Sequence, residues 1–300
     1  MSVIKGWSSD GTKVVAFGSF YDSLNPAHQP SAVISGEAPG EAGSLLVNVE
    51  AAFVLPYLFA GYTVVIADTE GPRAELFAGP AYGYHTLDGL RAAFQADRTG
   101  ITADAKVALA GYSGGALATQ WAAQLAPEYA PDMNRRLVGA TMGGTAVDPR
   151  NLLRYVDGSF LWSGALMQGI IGVTRAFDID LRPYLTSRGL EEYEALNNAS
   201  ILDGLFRNIG GVRWNDLVAS QYATPDDIPE LQGNLDQLVM GVAGTPTIPL
   251  QIAQGTAGET EGTTGNLPGI GPGDGIAVAG DVRTLARSYC DRGVPIDYTE

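Results

Sequence analysis

Cysteine and histidine are scarce in this 300-residue chain, which contains one cysteine, Cys290, and two histidines, His28 and His85. A lone thiol excludes an internal disulfide and a zinc site built from several thiolates. Two imidazoles leave little room for metal chemistry. We therefore expect neither a metal nor another cofactor.

Positive charge is scarce as well: 18 Lys and Arg stand against 33 Asp and Glu, which gives a net charge of −15. This balance excludes a protein that binds nucleic acid through a basic patch. Glycine, serine and glutamine interrupt the most apolar stretch, residues 158–174, so we expect no integral membrane segment. The first residues lack the charged start and apolar core of a signal peptide. Taken literally, the chain is a soluble cytoplasmic protein of undefined oligomeric state.

Apolar segments alternate with helical patterns through the first 141 residues, which predicts an α/β fold with a mostly parallel sheet. Between residues 148 and 246 helical stretches occur at 159–174 and 191–208 without a buried-strand pattern. The stretch 160–173 suits either an apolar lid or an ordinary buried helix. We predict a core formed by residues 1–147 and 247–300, with an inserted helical cap at 148–246. The predicted strands are 14–17, 62–67, 106–110, 136–141, 247–253 and 294–298, and the predicted core helices are 45–60, 86–96, 115–126 and 281–292.

The segment Gly111-Tyr112-Ser113-Gly114-Gly115 matches G-x-S-x-G between a predicted buried strand and a predicted helix. This context is that of a nucleophile elbow, in which flanking glycines let strand and helix approach and the serine hydroxyl stands above the sheet. The Gly114 amide begins the helix, where unpaired N–H groups favour negative charge, so it suits half of an oxyanion hole. A glycine-rich turn without chemistry is the alternative.

A serine nucleophile needs an orienting acid and a histidine base, which follow the serine in that order in this kind of fold. We expect the acid after the strand at 247–253. Asp274 lies in a Gly-Asp-Gly turn shortly before a predicted helix and is preferred, although such a turn also occurs without catalytic function. The other candidates are Glu259, Glu261 and Asp281.

Neither histidine fits the expected order, because both precede Ser113. His28 lies in a predicted loop and His85 at a predicted helix start. A fold can bring distant residues together, so the order is evidence and not proof. We predict that neither is the base.

Over most of its length the chain resembles the secretory lipases, also called lipase-A-type lipases. The matching segments are FYDS at 20–23, QPS at 29–31, IADTEGP at 66–72, LDGLRA at 87–92, the elbow with its second glycine, and LARSYC at 285–290. The resemblance implies an α/β-hydrolase fold with a helical cap, a secreted or cell-envelope location, and hydrolysis of triacylglycerols or other carboxylic esters. It also implies that the amides of Asp22 and Gly114 form the oxyanion hole, and that Asp274, ahead of the helix ending in Cys290, is the acid.

Two departures from the family pattern matter. A loop at residues 255–273 separates the strand from Asp274, which keeps Glu259 open as the acid. The family histidine follows the last strand, which places it beyond Glu300. Relatives also carry an export signal and early strands ahead of the region that begins here at Met1. The chain is therefore interpreted as an interior fragment without the early strands, or as a short form that has lost its base.

The implied reaction is acyl transfer to water through Ser113, with an ester or lipid as substrate. Without its histidine the 300-residue chain is predicted to be poorly active, because removal of one triad member costs on the order of 10⁴–10⁶ in rate. Two other functions stay open: an acyltransferase on the same scaffold, and a non-catalytic hydrolase-like domain that binds lipid or a partner.

Overall fold

Seven strands form one sheet in the order β1-β3-β2-β4-β5-β6-β7 in a computed structural model that describes residues 1–37 and 44–300. Strand β1 is antiparallel to β3, and all the other neighbouring pairs are parallel. The predicted mostly parallel α/β sheet is therefore confirmed. The strands are β1 (Ser2–Lys5), β2 (Lys13–Gly18), β3 (Thr63–Ile66), β4 (Lys106–Tyr112), β5 (Leu137–Gly143), β6 (Leu250–Ala253) and β7 (Ile296–Thr299).

Helices connect these strands and fill most of residues 149–217. Short 3₁₀ turns join several of them. The helices of the core are α1 (Pro30–Ser35), α2 (Ser44–Phe59), α3 (Gly79–Gln95), α4 (Gly114–Tyr129), α5 (Pro131–Asn134) and, later in the chain, α11 (Ala279–Asp291). Those between β5 and β6 are α6 (Pro149–Val156), α7 (Leu166–Ala176), α8 (Ser187–Leu196), α9 (Ile201–Arg207) and α10 (Trp214–Leu217).

The sheet is packed on both faces, as parallel sheets are. On one face α3, α4 and α11 contribute Leu90, Trp121 and Val282 to the largest apolar cluster. Helix α4 is buried at every residue from Gly114 to Ala126, which fits its alanine-rich sequence. On the other face α2 packs Val54 and Leu58 against β2 and β3. This layering fixes the start of α4 directly above the end of β4.

The residues between β5 and β6 form a separate apolar cluster, which includes Leu166, Ile171, Leu205 and Trp214. Leu24 and Leu76 from the core segments also belong to it. The division into core and cap at residues 148 and 246 stays a prediction, and these helices are called the cap below. Within the described residues, no helix has both the length and the apolar character that a membrane span requires.

The structure departs from the sequence-based elements at identifiable places. Strand β1 was not predicted, because it is short and only half-buried. Helix α3 begins at Gly79, seven residues before the predicted start at residue 86, because glycines at its start pack against Trp121. The predicted helix at 191–208 is two helices, and a capping box of Ser200 and Asp203 starts the second. The segment 19–43, which lies between a predicted strand and a predicted helix and was expected to be a loop, contains α1, and its residues 38–43 lie outside the described part.

Candidate active site

Ser113 occupies the turn between β4 and α4 with φ 55° and ψ −121°. A non-glycine residue with positive φ is strained, and such strain is maintained only where surrounding contacts fix it. Here the Ser113 amide donates to Gly143 O at 2.9 Å, and Ser113 O accepts from the amides of Ala116 and Leu117. The backbone is held on both sides of the serine, and its side chain is half-buried.

Glycines beside Ser113 allow β2, β4 and α4 to meet with no side chain between them. A Cβ atom on Gly115 would lie 2.0 Å from Gly18 O, and one on Gly111 would lie 2.1 Å from Gly115 O. Both distances are far inside van der Waals contact. The second glycine of the elbow is thus required by the close approach of α4 to the end of β2.

The loop of residues 19–24 lies against the start of α4 and is called the oxyanion loop after the role that the family resemblance predicts for Asp22. A Cβ on Gly114 would lie 2.1 Å from Asp22 Oδ1, so glycine at 114 makes room for that carboxyl group. Gly114 is the first residue of α4, and its N–H therefore has no intrahelical acceptor. Asp22 has φ 34°, which turns the loop at this point. The sequence-predicted pair Asp22 and Gly114 is brought together.

The cap reaches the oxyanion loop through main-chain hydrogen bonds. The Ile201 amide donates to Asp22 O at 2.9 Å, and the Leu24 amide donates to Ala199 O at 2.9 Å. Ser23 and Ser200 form an isolated antiparallel bridge between these contacts. The loop that carries Asp22 is therefore held by hydrogen bonds from the cap as well as by contacts with the core.

Three buried carboxyl groups surround the oxyanion loop. Burial raises the pKa of Asp22 to about 7, and burial raises the pKa of Glu50 to about 8 against the opposing effect of its hydrogen bonds. Burial, reinforced by nearby Asp22, holds the pKa of Glu70 well above its usual range. Glu70 accepts hydrogen bonds from the Ser23 amide and from the hydroxyl of Tyr82. The loop thus lies among acids whose neutral form the fold favours.

These acids are expected to make the fold less stable as pH rises. In the unfolded chain they lose their protons near pH 4–5, whereas in the fold they keep them to about pH 7 or above. The folded state therefore binds more protons across the interval from about pH 5 to about pH 8. Each acid lowers the unfolding free energy by about 1.4 kcal/mol for every pH unit over which it is protonated only in the fold, so Asp22 and Glu50 together should lower it by about 6 kcal/mol over that interval. Urea unfolding at pH 5 and at pH 8 measures the change. Asp22→Asn should make the change smaller, and a free energy of unfolding that rises toward pH 8 would contradict the prediction.

Asp274 is half-buried and held by three donors. Its Oδ1 accepts from the amides of Ile276 and Ala277 at 3.1 and 2.8 Å, and its Oδ2 accepts from Gln254 Nε2 at 3.0 Å. The same Oδ2 would lie 3.1 Å from a Cβ on Gly144, at the end of β5, where the Tyr112 ring also lies. Burial, followed by the charges of Asp274 and Glu261, raises the pKa of Tyr112. Asp274 is therefore placed near the residue that precedes Ser113.

The alternative acids are placed differently. Glu259 is exposed on a 3₁₀ turn. Glu261 accepts from the indole N–H of Trp162 in the cap at 2.5 Å, and Asp281 accepts from Asn151 at 3.1 Å. The Asp274 carboxylate, by contrast, is fixed by main-chain and amide donors, and its role as the orienting acid stays a prediction.

Both histidines are engaged away from Ser113. His28 is buried, and its Nδ1 lies 2.8 Å from the Ser23 hydroxyl oxygen. The Nδ1 of His85 lies 2.8 Å from Thr69 O, and its ring packs against Gly71. The structure therefore gives neither imidazole a contact with the nucleophile.

His28→Gln and His85→Gln are each expected to leave the rate of phosphonate labelling at Ser113 within about three-fold of the parent rate. Loss of a true base would lower the rate on the order of 10⁴-fold or more. The measurement is the time course of adduct mass with a fluorophosphonate. Imidazole added to the buffer should accelerate labelling equally in all three proteins, and a large loss in either variant would identify that histidine as the base.

An apolar cavity of about 90 Å³ lies between the core and the cap. Its walls include Leu117, one turn after Ser113 in α4, and Ile276, whose amide binds Asp274. The cap contributes Trp162, Leu166, Ile170 and Val173. The walls thus include neighbours of both predicted catalytic residues, although not Ser113 or Asp274 themselves, and consist almost entirely of hydrocarbon.

Sequence reasoning assigned no function to three residues at this site: Glu50, Glu70 and Gln254. Glu50 had a detectable signal, because it is the one charged residue of an otherwise uncharged helix, α2. Glu70 belongs to a motif that was noticed but not interpreted. Gln254 directly follows β6, and its contact with Asp274 depends on how the intervening loop folds back.

The order of the strands and the strained serine turn place this chain among the α/β hydrolases. Solved structures agree on the fold: Candida antarctica lipase A in its closed state has a TM-score of 0.79 at 23% identity, over 99% of this chain and 66% of that one. A rice cell wall degrading esterase from Xanthomonas oryzae has a TM-score of 0.67 at 14% identity, over 97% of this chain and 74% of that one. The family model for secretory lipases matches residues 37–261, and the chain belongs to that family.

Named relatives are lipases of fungi. Lipase 1 of Candida albicans is 36% identical over 177 residues, which are 59% of this chain and 37% of that protein. Lipase A of Arthroderma benhamiae is 29% identical over 301 aligned residues, which are 96% of this chain and 58% of that protein. The chain therefore spans little more than a third of the first relative and under two thirds of the second.

Proposed function

We propose that this chain carries the nucleophile, oxyanion hole and acid of a secreted serine hydrolase that cleaves triacylglycerols or other carboxylic esters. The single observation that carries the proposal is the strained Ser113 turn at the end of β4, with the start of α4 directly behind it. Membership of the secretory lipase family supports the ester as substrate and secretion as location. The lipases among its relatives support the same chemistry.

In the proposed reaction the Ser113 hydroxyl attacks the ester carbonyl while a base takes its proton. The amides of Gly114 and Asp22 donate to the oxyanion, and each such donor typically lowers the barrier by about 3 kcal/mol. The alcohol leaves with the proton that the base returns. Water then cleaves the acyl-enzyme by the same steps, which releases the carboxylic acid and restores Ser113.

Asp274 would orient the base and stabilise its charged form. Three donors fix its carboxylate, so it can hold an imidazole in one orientation without losing its own position. Because His28 and His85 are engaged elsewhere, the proposed base is the histidine that the family resemblance places beyond Glu300.

The apolar cavity suits the acyl chain of the substrate. Hydrocarbon walls favour burial of methylene groups by about 0.8 kcal/mol each. Leu117, one turn after Ser113, and Ile276, whose amide binds Asp274, belong to these walls. An ester with a fatty acyl group fits these walls better than one with a charged acid.

The experiment that tests the function is covalent labelling with a fluorophosphonate, in buffer that contains imidazole as an external base. We expect one adduct per chain, and peptide mapping should locate it at Ser113. No adduct, or an adduct spread over other serines, would favour the non-catalytic alternative. In a separate assay with a p-nitrophenyl ester, transfer of the acyl group to an added alcohol in preference to water would instead indicate an acyltransferase.

Val173→Phe is expected to shift acyl-chain preference toward short chains. Val173 is buried in the cavity wall, and a phenyl ring there would fill much of the available volume. We expect reaction with a hexadecyl-chain phosphonate to slow by about ten-fold relative to a butyl-chain phosphonate, because the lost burial is worth a few methylene groups. Competition between the two probes measures the ratio. An unchanged ratio would show that the acyl chain lies elsewhere.

A further inference from the structure

Glu50 is a buried acid that has no role in the proposed reaction. It is 3% exposed, although α2 otherwise consists of uncharged residues. Acidic side chains are rarely buried in this way, because they lose hydration unless other groups replace it. Leucine or methionine would suit the packing face of such a helix better. The carboxyl group must therefore be satisfied by particular partners.

Both partners of Glu50 lie at the beginning of the oxyanion loop. The Ser19 hydroxyl donates to Glu50 Oε2 at 2.5 Å, and the Phe20 amide donates to Oε1. Ser19 directly follows β2, and Phe20 precedes Asp22 by two positions. Glu50 thus replaces the hydrogen bonds that the chain loses when it leaves the sheet.

The other end of the loop is held by different groups. Glu70 accepts from the Ser23 amide, and the cap binds Asp22 O and the Leu24 amide. Tyr21 is held separately, because its buried hydroxyl accepts from the Glu70 amide at 3.0 Å. Without Glu50, the Ser19 hydroxyl and the Phe20 amide would lose their acceptor, and the main chain between β2 and Tyr21 would be less constrained.

Phe20 connects this anchor to the nucleophile side of the site. Its ring lies edge-on to Tyr112, with centroids 6.5 Å apart, and edge-on to Phe53 of α2 at 6.2 Å. Tyr112 directly precedes Ser113. The position of the Phe20 main chain therefore affects both the Asp22 amide and the contact made by the elbow.

We propose that Glu50 is a positioning residue that fixes the first half of the oxyanion loop, so that the Asp22 amide is aimed at the oxyanion above Ser113. The inference rests on the proposed function, since it names the group that prepares its oxyanion hole. Glu50 contacts neither substrate nor reacting atoms. It acts through Ser19 and Phe20, and its loss should therefore slow the chemical step and leave substrate binding unchanged.

Glutamine and leucine at position 50 separate this role from simple packing. A glutamine carbonyl can accept from the Phe20 amide while its NH₂ group donates to the Ser19 hydroxyl, so Glu50→Gln can keep both hydrogen bonds. Leucine fills similar space and makes neither. A matched control is Glu192→Leu, because Glu192 is also buried and hydrogen-bonded, to Arg207 and Asn208 in the cap.

The test measures the rate at which a fluorophosphonate modifies Ser113 in imidazole buffer, over a range of probe concentrations. Two quantities are obtained, the maximal rate and the probe concentration that gives half of it. For Glu50→Leu we expect the maximal rate to fall at least about ten-fold with the half-saturating concentration unchanged, since loss of a whole oxyanion donor costs about 10²–10³. Glu50→Gln and Glu192→Leu should stay within about two-fold of the parent. Ser19→Ala leaves α2 intact and should slow labelling several-fold. This variant tests the inference if Glu50→Leu does not fold.

Several results would overturn the inference. One is a folded Glu50→Leu protein that reacts at the parent rate. If Glu50→Leu does not fold, a Ser19→Ala protein that reacts at the parent rate has the same meaning. Another is a Glu50→Gln protein as slow as Glu50→Leu, and a third is an equal loss in Glu192→Leu. If the parent chain itself is not modified at Ser113, the proposed function fails, and the inference fails with it. That outcome is distinct, because it appears before any variant is compared.

Discussion

Ser113→Ala is expected to remove the single phosphonate adduct while leaving the fold unchanged. The methyl group of alanine fits where the serine side chain lies, and the strained backbone is held by neighbours and not by the hydroxyl. The nucleophile alone is lost, which in serine hydrolases costs on the order of 10⁶ in rate. We therefore expect adduct formation to fall by at least about 10³-fold, down to the level of nonspecific modification.

Intact-protein mass spectrometry measures the adduct, and thermal unfolding shows that the variant is folded. Ser288→Ala is the matched control, because Ser288 is an exposed serine on α11, away from the site, and should label as the parent does. An adduct that persists in Ser113→Ala would place the reactive group elsewhere and would remove the main support for a hydrolase.

Gly115→Ala is expected to destabilise the protein by at least about 3 kcal/mol. The added Cβ would lie 2.0 Å from Gly18 O, which is main chain and cannot rotate away. Relief requires α4 to move off β2, and α4 is buried along most of its length. Overpacking of this kind costs about 1–3 kcal/mol even where side chains can yield, so a clash with backbone lies at or above that range.

Urea unfolding of parent and variant measures this difference. Gly36→Ala is the control, because no atom of residues 1–37 or 44–300 lies within 4 Å of a Cβ at Gly36, although its φ of 81° adds some backbone strain. Its loss of stability should be about 1 kcal/mol. If Gly115→Ala cost no more than Gly36→Ala, the close contact between β2 and α4 would not be a determinant of the fold.

The sheet and the nucleophile turn could be predicted because local patterns determine them. Strand β3 is a run of β-branched residues buried on both faces, and such a run has few alternatives in a parallel sheet. The serine turn is specified by glycines, which are required there because side chains would clash with neighbouring main chain. The same reasoning failed for β1, which is held by pairing with β3 and not by burial of its own side chains.

The surroundings of the site could not be predicted in the same way, because they depend on contacts between distant segments. Glu50 reaches a loop 30 residues earlier, and Gln254 reaches Asp274 across 20 residues. A buried carboxyl group is stable only in a finished fold that supplies its donors. A lone charge in an apolar helix can therefore be noticed in the sequence, but its partners cannot be read from spacing.

The main-chain bonds that join residues 199–201 to the oxyanion loop have a mechanical consequence. Helix α9 begins at Ile201, so a swing of this part of the cap away from the sheet would pull on the carbonyl of Asp22. In the proposed reaction, such a swing would displace the Asp22 amide from the oxyanion. The proposed function therefore requires that substrate enter past parts of the cap that make no such attachment.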